Sequence, residues 1–72
     1  MKPKAKGTVR ILSVDQATHK CGWAILDNKK LIAYGDFDVP DYEEYQRIHA
    51  IKEWLVSMIN MWKPDGVALE GI

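Results

Sequence analysis

Two carboxylates close two short apolar runs in this 72-residue chain. Ile11-Leu12-Ser13-Val14 leads into Asp15, and Val67-Ala68-Leu69 leads into Glu70. An acid where burial is expected must find hydrogen bonds, a cation or water, because an unpaired buried charge is costly. If the two runs are neighbouring parallel strands, both acids stand at the same strand ends, with backbones about 4.8 Å apart. Carboxylates that close repel each other unless a cation lies between them. Hard oxygen donors at one place suit Mg²⁺ or Mn²⁺. The plainer alternative is that both acids end their strands in water.

The elements that must position these acids follow from local pattern. Consecutive apolar residues over 9–15 predict a strand covered on both faces. A polar connection over 16–20 leads to a second strand over 21–27. Asp27-Asn28-Lys29-Lys30 predicts a hairpin turn, with Asn28 best able to take a positive φ. A third strand over 31–39 alternates Leu31, Ala33, Gly35, Phe37 and Val39 against Ile32, Tyr34, Asp36 and Asp38. Asp41, with Glu44 three residues on, predicts a capped helix start after Pro40. Tyr45, Ile48, Ile51, Leu55, Met58, Ile59 and Trp62 form one helical stripe over 42–62. Pro64 stops that helix. A fourth strand over 67–70 then completes a right-handed parallel crossover onto the first strand. The expected sheet order is 3-2-1-4, an α/β arrangement of antiparallel meander, crossover helix and parallel fourth strand.

Charge is balanced overall but not along the chain. Lys2, Lys4, Lys6 and Arg10 stand in the first ten residues without an acid. The remaining 62 residues carry six basic and ten acidic side chains. Residues 1–8 read as a flexible basic arm on an acidic body over 9–72, an arm able to meet a polyanion or simply to lie in solvent. Lys20, near the acidic pair, is a further candidate for a phosphate. Cys21 is the only cysteine, so disulfides are excluded, and it reads as a small apolar strand residue. No run approaches the ~18 apolar residues of a membrane span, and no secretory signal follows the N-terminal lysines. A cytoplasmic location is expected.

Taken in order, these residues resemble the RuvC-type Holliday junction resolvases of the RNase H-like nuclease superfamily, particularly their phage and low-GC bacterial variants. The similar segments are Ile11-Leu12-Ser13-Val14-Asp15, then Thr18, Gly22, Trp23 and Ala24, then Lys63-Pro64-Asp65-Gly66-Val67-Ala68-Leu69-Glu70-Gly71. The resemblance implies a partial RNase H-like fold and metal-dependent hydrolysis of branched DNA. It maps Asp15 and Glu70 onto two of the family's metal ligands, with Asp15 bridging two cations and Glu70 holding one. Gln16-Ala17 stands where the family often has Pro-Gly. The family continues with a helix, a strand and a last helix that carries its other acidic ligands. The chain is therefore expected to be the N-terminal half of such a nuclease, inactive alone, and to self-associate, as a homodimer for example, through its uncovered edge and face.

Two other function classes remain open on the residues themselves. An actin-like ATPase also ends its first strand in Asp, but Asp15-Gln16-Ala17-Thr18 lacks the glycine of a phosphate-binding turn. A non-catalytic self-associating module needs only the apolar edge. His19 and His49 read as exposed or boundary residues. Trp23 reads as core before it reads as a platform for an unstacked base.

Overall fold

The computed structural model describes residues 6–16, 20–39 and 43–70. Five elements follow in chain order: β1 (Arg10–Gln16), β2 (Lys20–Asp27), β3 (Lys30–Asp38), α1 (Glu44–Trp62) and β4 (Gly66–Glu70). The strands form one sheet in the order β3-β2-β1-β4. β2 pairs antiparallel with β1 and with β3, and β4 pairs parallel with β1. Order and direction agree with the sequence reading.

The β2–β3 turn places both Asn28 (φ 50°) and Lys29 (φ 70°) in the left-handed region. That pair of positive angles is what a two-residue hairpin needs to match strand twist. Asn28 is tied down as well: its N–H donates to the Val9 carbonyl at 2.9 Å, and its Oδ1 accepts from the Val9 N–H at 3.0 Å. A register shift beside Ile25 and Leu26 breaks the alternation near the turn. Leu31 is consequently 53% exposed and falls out of step with Ala33, Gly35, Phe37 and Val39, with which the sequence pattern groups it.

Two expectations about the helix need correction. The predicted cap pair was Asp41 and Glu44; Asp41 lies outside the described residues, and the N-cap is Glu43. Its N–H donates to Gln46 Oε1 at 3.2 Å, which satisfies a backbone donor that the helix itself leaves open. The inward stripe is also turned. Ile51, Trp54, Leu55, Met58 and Trp62 meet the core, whereas Tyr45 and Ile48 are exposed. Aromatic contacts account for the turn: Trp54 stacks on Phe37 at 5.0 Å, and Trp62 meets Trp23 at 6.4 Å. At the other end Lys63 adopts φ 53° and donates its N–H to the Ile59 carbonyl at 2.9 Å. That left-handed cap, followed by Pro64, turns the chain toward β4.

Leu12, Val14, Cys21, Ile25, Val39 and Met58 are the buried core, between the sheet and α1. Alternation along β1 therefore sends Leu12 and Val14 toward the helix and Ile11, Ser13 and Asp15 to the opposite, open face.

Candidate functional site

The parallel ladder between β1 and β4 starts at Ile11 and Gly66 and ends at Asp15 and Glu70. Register partners on neighbouring strands point to the same face, so both carboxylates leave the same, open face of the sheet. Both are exposed. The row continues across β2 and β3: Asp15 pairs with Gly22, and Gly22 with Asp36. With no side chain at Gly22, the row is a carboxylate pair, a gap and a third carboxylate two strands away. A shallow cleft of about 190 Å³ lies here, lined by Ser13, Asp15, Gly22, Trp23 and Ala24. Among the described residues no group of three or more His, Cys, Asp or Glu is close enough to hold a metal ion. The donor set at this place is therefore the Asp15–Glu70 pair.

Lys20 is exposed at the start of β2, two residues from Gly22 and thus on the open face. Lys6 is exposed, and Lys2 and Lys4 lie outside the described residues. Arg10 does not belong with them. Its side chain is 2% exposed, with Nε and Nη2 donating to the two Asp27 oxygens at 2.7 and 2.8 Å. The hydrogen bond to Asp27 holds the guanidinium pKa above its usual value, against the opposing effect of burial. Arg10 is an interior ion-pair residue, and the basic surface loses one charge. The signal was in the sequence: Arg10 shares the parity of Leu12 and Val14.

Trp23 is half-buried against Trp62, as a core residue. His49 is exposed and sits 3.5 Å from Glu53, one helical turn on. His19 lies outside the described residues. Cys21 is buried, and burial pushes its thiol pKa up. Sequence reasoning missed Asp27 and Asp65 as partners of Arg10, and missed that Asp36 shares the row of Asp15. Partners 17 and 55 residues away emerge only when register is known.

No protein-family model matches the chain, and no solved structure matches it. In sequence it is similar to the crossover junction endodeoxyribonuclease RuvC of Akkermansia muciniphila, at 30% identity over 69 residues. The match covers 89% of this chain and 41% of that protein, so the chain spans less than half the length of the relative. The likeness supports a RuvC-like nuclease relationship. Among the described residues no helix is long and apolar enough to cross a membrane.

Proposed function

We propose that this chain carries the Asp15–Glu70 half of a divalent-metal site in a RuvC-like endodeoxyribonuclease that acts on branched DNA such as Holliday junctions. The observation that carries the reading is the register pairing of two exposed acids on neighbouring parallel strands. The similarity to RuvC supports the reaction class. The four-stranded order with its crossover helix supports an RNase H-like fold.

The donor set fits Mg²⁺ or Mn²⁺. Such ions are commonly held by one or two carboxylates, with water and substrate phosphate in the other positions. When bound, the metal supplies an activated water and neutralises charge at the scissile phosphodiester. Asp15 and Glu70 provide the anionic oxygens. The small residues Ser13, Gly22 and Ala24 leave the cleft beside Asp15 shallow enough for a strand's backbone to approach. Lys20, on the same face, offers a charge to a neighbouring phosphate. Two carboxylates leave much of the coordination shell to water, so affinity is weak and the 72-residue chain alone does not cut junctions usefully.

The test is a Mn²⁺ titration followed by paramagnetic broadening of backbone amides. Selective broadening near residues 15 and 70, lost in Asp15→Asn, is expected. Broadening equally strong near Asp38 or Asp65 would refute the site. Symmetric nicking of a labelled four-way junction by the chain alone, abolished by Asp15→Asn, would refute the dependence on further ligands.

A second reading, a self-associating module, is favoured by one observation. β4 is a sheet edge, and its Val67 and Leu69 remain 40% and 50% exposed.

A further inference from the structure

β4 has little of its own to fix its alignment. Its five residues, Gly66-Val67-Ala68-Leu69-Glu70, pair with β1 alone. Val67 and Leu69, on the helix side, are half-exposed, so burial discriminates weakly between one register and the next. Ala68 between them is apolar too, and a slip exchanges like for like. Yet Glu70 meets Asp15 in one register only. A slip of one residue turns Glu70 to the other face; a slip of two moves it about 6.6 Å along β1.

The alignment is fixed at the opposite end of the strands. The Arg10 N–H donates to Asp65 Oδ2 at 2.8 Å, and the Asp65 N–H donates back to the Arg10 carbonyl at 2.7 Å. The Arg10 side chain continues inward. Its Nη1 donates to the Trp62 carbonyl at 2.9 Å, its Nε and Nη2 hold Asp27, and its guanidinium carbon lies 5.8 Å from the Trp62 ring. One buried cation thus joins the start of β1, the end of β2, the end of α1 and, through its own backbone, the turn before β4. Gly66 follows at once, and a Cβ there would come within 3.3 Å of Ile11 Cδ1. From Ile11–Gly66 the ladder runs through Leu12–Val67, Ser13–Ala68 and Val14–Leu69 to Asp15–Glu70.

We propose that Asp65 and Arg10 are positioning residues for the metal site. Their reciprocal bonds set the β4 register that brings Glu70 beside Asp15, about 16 Å further along the strands. The proposal rests on the metal reading above, but register itself is measurable without metal.

The test compares Asp65→Ala, which removes the acceptor for the Arg10 N–H, with Asp65→Asn, which retains an acceptor oxygen. Register is read in the metal-free chain from NOEs between Leu12 and Val67 and between Val14 and Leu69. Mn²⁺ affinity is read from broadening at residues 15 and 70. Asp65→Ala should lose the β1–β4 NOEs, keep those between β1 and β2, and bind Mn²⁺ about tenfold more weakly, the lower end of what a change outside the ligand set costs. Asp65→Asn should restore both. An Asp65→Ala chain that keeps every β1–β4 NOE overturns the proposal whatever its affinity. If Asp65→Ala does not fold, Asp65→Glu replaces it, because its acceptor is displaced by one methylene. It should weaken the same NOEs and the affinity, and full retention of both overturns the proposal. A wild-type chain with the register NOEs but no selective broadening refutes the metal reading instead.

Discussion

Asp15 and Glu70 are register partners on neighbouring parallel strands, the last pair of a ladder that begins at Ile11 and Gly66. The crossover through α1 makes the two strands parallel, so both carboxylates reach the same sheet end. They leave the face away from α1, where nothing in the described fold covers them. Arg10, at the opposite end of β1, faces inward and is enclosed. The same strand therefore carries an exposed acid at one end and a buried cation at the other, and the predictions follow from that division.

DNA binding by the basic arm should be weaker in its salt dependence than a count of all four early basic residues suggests. With Arg10 held by Asp27, Lys2, Lys4 and Lys6 remain. The slope of log affinity against log salt on duplex DNA should then be no steeper than about −2.7. Deleting residues 1–7 should flatten it. A slope near −3.6 would mean that Arg10 reaches a phosphate after all.

Self-association should run through β4. An edge strand with exposed Val67 and Leu69 and no lysine offers both unpaired backbone and apolar surface. Sedimentation across concentrations should show a mass above 8.2 kDa at high micromolar chain. Leu69→Lys should shift the chain toward monomer. A persistent monomer in the wild type would exclude the edge as an interface.

Gly35 should not tolerate alanine. A Cβ there would lie 2.9 Å from Trp23 Cζ2 and 3.0 Å from Cε2 and Nε1. The indole has Trp62 against it, so it has little room to retreat. Overpacking of this kind costs about 1–3 kcal/mol. Urea unfolding followed by tryptophan fluorescence measures it, and adding Trp23→Leu to Gly35→Ala should recover part of the loss.

Cys21 should couple stability to alkaline pH. Burial raises its thiol pKa in the folded chain above that of an exposed thiol. The unfolded chain therefore releases that proton first, and unfolding is favoured as pH rises past about 9. Below that pH the contribution is fully present. Urea midpoints at pH 8 and pH 10 should fall further apart for the wild type than for Cys21→Val. Equal slopes would show that the thiol ionises freely in the folded state.

Local pattern determined much of this protein. The apolar runs ending in Asp15 and Glu70, the turn at Asn28 and the stop at Pro64 each act within a few residues. With the handedness of crossovers, they suffice for four strands, one helix and the order β3-β2-β1-β4. That order brings Asp15 and Glu70 to the same end of neighbouring strands, while their pairing in register depends on the distant Arg10–Asp65 bonds. Tertiary structure decided what depends on distant partners. An amphipathic period marks a stripe on α1 but not which part of it meets the sheet: Trp54 stacks on Phe37, and Ile48 stays exposed. The charge of Arg10 suggested solvent, whereas its parity along β1 pointed inward. Burial won because Asp27 and the Trp62 carbonyl, 17 and 52 residues away, converge on the guanidinium, and a buried cation is tolerable only where such partners meet it.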